Sequence, residues 1–149
     1  MEKFDSRPAT MAHIGIVWEK IFAFTRDLNN RGLSHYLSKL GPPEVDIFDE
    51  YTPKLAGTTY GSDEYKQYLA EMTPALKHHY AHNRHHPEHF IDGINGMTLI
   101  DLVEMFCDWW AASERHNDGD LMKSIEINAE RFGLSPQLHQ ILKNTAEQR

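Results

Sequence analysis

Six of the ten histidines in this 149-residue chain fall between positions 78 and 90, in the run HHYAHNRHHPEHF. Imidazole titrates near pH ~6.5 and, when neutral, offers a nitrogen lone pair to a metal. A short histidine-rich tract is therefore a compositional sign of metal binding, and its nitrogens suit Mn, Fe, Co, Ni or Zn. His78, His79 and His82 lie within about one helical turn, so pairs three and four apart can converge on one ion. Asn83 and Arg84 then lead to His85, His86 and His89, where Pro87 favours an extended or turning backbone. A hydrolytic centre also needs carboxylates, which temper the ion's charge and accept protons. Asp101 has a structural role as a capping residue, and Glu104 reads as a residue of the solvated face. Asp108 is embedded in MFCDWWAA, where a carboxylate is costly unless paired or ligated, so it is the expected ligand of the three.

Two further histidines precede the cluster. His13 lies close to the apolar stripe of the first helix, where it reads equally as a hydrogen-bonded core residue or as a ligand. His35 follows in SHYLSK, with Lys39 four residues later, a point charge suited to a phosphate. Arg84 and Arg115 are the other cations with which a phosphate would pair.

These residues need helices to hold them. Met11, Ile14, Trp18, Ile21 and Thr25 recur at spacings of three and four, which predicts one long helix whose buried face they form, with Gly32 as a left-handed stop. A short helical piece is expected around LSHYLSKL and another over EVDIFDEY, before Pro53. Ser62 caps a helix carrying Tyr65, Leu69 and Met72 on one side, and Thr73-Pro74 opens the helix that holds the first histidines. Thr98 and Asp101 have capping-box spacing ahead of Leu102, Phe106 and Trp109 or Trp110. Asp120 and Gly133 bracket a further helix, and Ser135-Pro136 caps the last. Strand-like alternation is absent, which predicts an all-α fold, a single compact helical domain over residues 1–149.

Composition narrows the function. Apolar residues make up 40% and charged residues 25% of the chain, enough to fold a soluble domain, and the formal charge of −7 argues against a long nucleic-acid partner. No apolar run approaches the ~20 residues that span a bilayer, and no secretory leader is evident. The lone Cys107 fits a reducing compartment, so the expected location is the cytoplasm.

The order of a helix histidine, a second histidine at the start of the next element, a histidine pair and a late helical aspartate resembles the HD-domain superfamily of all-helical, metal-dependent phosphohydrolases. More narrowly, SHYLSKLGPPE, TTYGSDEYKQYL, PALKHHYAHNRHHPEHF, GMTLIDLVEMFCDWWAASERHNDGD and SIEINAERFG resemble DUF5662, a family of small proteins common in bacteriophages and bacteria. The first resemblance implies an HD-like fold and a divalent transition metal held by His13, His35, His79 or His78, and Asp108. It also implies that Lys39 contacts substrate phosphate. Where the superfamily carries the aspartate of its His-Asp pair, this chain carries Tyr36, a poor ligand when neutral. The expected function is hydrolysis of a nucleotide or another small phosphate ester. His82, His85 or His86 would serve as general acid, and Lys39, Arg84 and Arg115 would neutralise the phosphate. The alternative is a degenerate domain that binds a nucleotide or a protein without cleaving anything.

Overall fold

The computed structural model describes residues 4–59, 62–114 and 119–148. Seven α-helices and three short 3₁₀ turns make up its elements, and no strand occurs among the described residues. The all-α expectation holds. The chain divides into two units, residues 1–34 and 35–149.

The first unit consists of helix α1, Arg7–Ser34. It runs through Gly32, which was expected to end it. The left-handed turn comes four residues later, at Tyr36, whose φ is 60°. Met11, Ile14, Trp18 and Ile21, expected to form a buried face, are all more than half exposed.

The second unit contains α2 (Glu44–Ala56), α3 (Asp63–Glu71), α4 (Thr73–His82), α5 (Leu99–Ser113), α6 (Leu121–Phe132) and α7 (Pro136–Ala146). The stretch LSHYLSKL is a single helix in neither half: its first residues finish α1, and Leu37–Leu40 forms a 3₁₀ turn. Helix α2 continues through Pro53 to Ala56, because a proline near a helix end removes only one of the last backbone bonds. Helix α4 begins at Thr73 without a side-chain cap, since Met72 before it is already helical. The other caps form as expected: Ser62, Thr98, Asp120 and Ser135 each accept a backbone N–H, and Gly133 closes α6 at φ 61°.

The core lies where α5, α6 and α7 meet, built from Met105, Phe106, Trp109, Ile125 and Leu142. Trp109 stacks on Phe132 at 6.2 Å between ring centroids. Burying each such side chain contributes about 1.5–3 kcal/mol. On α5 these residues occupy one face, while Asp101, Glu104 and Asp108, spaced by three and four, form an adjoining acidic stripe. The core thus fixes the direction in which the acids point. No helix among the described residues is long and apolar enough to cross a membrane.

Candidate metal centre

Residues from four other segments of the second unit gather beside the acidic stripe of α5. Helix α2 brings Glu44, α4 brings His78 and His79, and the stretch after α4 brings Asn83, His85 and His86. The connection before α2 supplies His35, Tyr36, Ser38 and Lys39. Local backbone explains the placement of the last group. The left-handed turn at Tyr36 redirects the chain, so that consecutive rings, His35 and Tyr36, stack at 4.0 Å and both reach α5.

His35 lies between two carboxylates. Its Nδ1 is 2.9 Å from Glu104 Oε1, and its Nε2 is 3.5 Å from Asp108 Oδ1. Asp108 and then Glu104 hold its imidazolium well above the usual range, to about 9, against the opposing effect of burial. Without a metal, His35 therefore carries a proton at neutral pH, which a cation would displace. Burial pushes the Asp108 carboxyl upward, but hydrogen bonds from His35 and Tyr36 outweigh it and leave the pKa lowered. The Tyr36 hydroxyl donates to Asp108 Oδ2 at 2.9 Å. Lys39 Nζ sits 3.6 Å from the centre of the Tyr36 ring, a cation–π contact that keeps its charge beside the cluster.

Deeper in, Glu44 is completely buried and accepts from His78 Nδ1 at 2.7 Å and His79 Nδ1 at 2.8 Å. These bonds, with one from Ser38, overcome desolvation and keep its pKa low. Burial and then the charge of Lys39 depress His79 to about 4. Burial and then the neighbouring His85 and His79 depress His86 to about 3. Both are neutral near pH 7, and their Nε2 atoms approach to 2.9 Å.

His85 is 1% exposed, yet neither ring nitrogen makes a hydrogen bond. Glu104 Oε1 lies 3.1 Å from its Nδ1, and Asp108 Oδ2 lies 4.0 Å from its Nε2. A buried imidazole short of hydrogen bonds amid carboxylates and other imidazoles fits a cation. Two overlapping triplets have ligand atoms within 4.8 Å of one another: His79, His85 and His86, and His35, His85 and Glu104.

Of the residues singled out in the sequence, His35, His79, His85, His86, Asp108 and Lys39 gather here. His78 lies at the edge, bonded to Glu44. His82 is exposed, donates from Nδ1 to the His78 carbonyl and stacks on the His78 ring. Arg84 is engaged with Asp101 through Nε at 3.2 Å and Nη2 at 3.1 Å. His13 is an exposed residue of the α1 unit. Arg115 lies outside the described residues. Glu104, expected on the solvated face, is only 9% exposed, because its three- and four-residue spacing from Asp101 and Asp108 turns it the same way. That spacing was the available signal. Glu44 had none, since an acid at the start of a helix reads as a partner for the helix dipole.

A family model, described as a family of unknown function (DUF5662), matches residues 2–148. The chain belongs to that family. No curated protein and no solved structure matches it. For this member of DUF5662, what the site can do rests on its own side chains. They offer imidazole and carboxylate donors to one region and a lysine at its margin, the components that a metal-assisted reaction of an anion requires.

Proposed function

We propose that the protein is a metal-dependent phosphohydrolase acting on a nucleotide or another small phosphate ester, in the cytoplasm of a bacterial or phage-infected cell. The observation that carries this reading is the convergence of His35, His85, Glu104 and Asp108, with Lys39 beside them. His35, His85, Glu104 and Asp108 would hold a divalent transition metal. Such an ion supplies a water acidified toward neutrality and polarises a phosphoryl oxygen. Lys39 would neutralise the entering phosphate, a role the chain must give to side chains because it has no glycine-rich phosphate loop.

Metal content should be measured on tag-free protein purified without chelator, followed by a screen of nucleotides and simple phosphate esters for released phosphate. The expected result is bound transition metal and turnover that falls at least about 100-fold in Asp108→Asn and His85→Gln, as when a ligand to a catalytic ion is lost. Undiminished turnover in both variants would refute the assignment.

One observation favours a second reading, that of a binding domain without catalysis. The Tyr36 hydroxyl occupies Asp108 Oδ2 at 2.9 Å, at the position where the HD pattern carries an aspartate. A nucleotide that raises the melting temperature and is recovered intact would support that reading over hydrolysis.

A further inference from the structure

We infer that His79, His85 and His86 form a nitrogen-rich seat for a late first-row transition cation of the Co, Ni or Zn class, and that Glu44 is the residue that positions His79 for it. The inference rests on the metal reading of the site and not on the reaction proposed above.

An ionised carboxylate can only accept, so the two bonds into buried Glu44 require that His78 and His79 each carry a proton on Nδ1. With Nδ1 directed at Glu44, Nε2 is the nitrogen that His79 turns toward the cluster. The neighbouring amide agrees with this assignment. Both hydrogens of Asn83 Nδ2 are used, one toward Ser38 Oγ at 2.9 Å and one toward the His79 carbonyl at 2.8 Å. None remains for His79 Nδ1, 3.1 Å away.

The lone pair on His79 Nε2 points at His86 Nε2, 2.9 Å distant. Two nitrogens this close either share a proton or share a cation. His85 favours the cation: it joins the same triplet, is 1% exposed and makes no hydrogen bond at either nitrogen, its Nδ1 lying 3.1 Å from Glu104 Oε1 as an ion-pair contact. A shared proton would satisfy His79 and His86 and leave the buried Nε2 of His85 without a hydrogen bond, whereas an ion takes a lone pair from each of the three rings. Nitrogen donors without a carboxylate favour borderline late transition ions, while Mg and Ca require oxygen. The Glu44–His79 pair has the form of a carboxylate that fixes a ligating imidazole through its other nitrogen.

The test is titration of chelator-stripped, full-length protein with Co(II), read by its visible absorption, and with Zn(II) and Mg(II) by calorimetry. Wild type should take up Co(II) and Zn(II) with a nitrogen-rich spectrum and be indifferent to Mg(II). Glu44→Gln should weaken Co(II) binding by about 10–100-fold, the usual effect of losing a second partner of a ligating histidine. His78→Ala, which removes the other imidazole from Glu44, should change it far less. Should Glu44→Gln not fold, nitrogen NMR of wild-type histidines reads the same point: His79 should be protonated at Nδ1, and Zn(II) should shift its Nε2 resonance. Equal affinity in Glu44→Gln, an unmoved His79 Nε2 signal, or Mg(II) competing on equal terms would each overturn the inference while leaving the metal reading intact. No uptake of any ion would overturn both. Phosphatase activity enters none of these readouts.

Discussion

Replacing Tyr36 with Phe removes one oxygen atom and tests how the tyrosine shapes this site. The ring would keep its stack on His35 at 4.0 Å and its contact with Lys39 at 3.6 Å. What disappears is the donor 2.9 Å from Asp108 Oδ2. A hydrogen bond to a charged acceptor contributes about 1.5–3 kcal/mol, and breaking one by deleting the donor leaves the acceptor desolvated. Asp108 retains 13% of its side-chain exposure, so water can replace part of the lost bond, which brings the expected cost to about 1–2 kcal/mol. For a chain of this size that lowers the melting temperature of metal-free protein by about 3–8 °C. Metal binding should respond in the opposite direction. A cation approaching Asp108 Oδ2 competes with the phenol, and relief of about 1 kcal/mol corresponds to roughly fivefold tighter Co(II) binding. Differential scanning calorimetry on stripped protein and Co(II) titration supply the two readings. A variant that melts within ~1 °C of wild type and binds Co(II) equally would refute the claim that the phenol engages Asp108.

Three further predictions concern the scaffold. Asp101→Ala should lower stability by about 2–3 kcal/mol by urea unfolding, because it removes both the reciprocal cap at Thr98 and the Arg84 pair; the half-exposed arginine keeps the loss below that of a fully buried pair. A loss under ~0.5 kcal/mol would show that the buried carboxylate contributes little. Ile125→Ala, at a position with no exposure between α5 and α7, should cost about 2–5 kcal/mol in the same assay, and a milder effect would mean that the core closes over the cavity. Gly133→Ala should cost about 1 kcal/mol for backbone reasons alone, since an added Cβ meets no atom within 4 Å while φ remains 61°; no loss would mean that the turn at α6 relaxes freely.

Much of the second unit was legible because its signals are local. Ser62, Thr98, Asp120, Gly133 and Ser135 mark helix ends through chemistry confined to a few residues, and each does so in the structure. Helix α1 shows the limit of periodicity: spacing identified the helix, yet Met11, Ile14, Trp18 and Ile21 are exposed, because a stripe specifies a face without specifying what covers it. At the site, Asp108 stood out by the hydrophobicity of its neighbours, and the histidine run stood out by composition. The division of labour inside that run was not readable. His82 turns back to its own helix, while His85 and His86, only three and four residues later, turn into the cluster, because the backbone leaves the helix at Asn83. Glu44 became visible only in three dimensions, where a residue 35 positions from His79 in sequence lies within hydrogen-bond distance.

The left-handed backbone at Tyr36 bears on how this protein would drift or be engineered. A tyrosine at positive φ costs of order 1 kcal/mol or more relative to the glycine or asparagine that such a position prefers. Tyr36→Gly and Tyr36→Asn are therefore changes that selection for thermal tolerance alone would test early, and both delete the phenol that engages Asp108. A library ranked only by melting temperature would balance relief of the backbone against loss of that bond, with little left to distinguish the variants. Ranking the same library by cation uptake would separate them at once, so the two screens should lead to different residues at position 36.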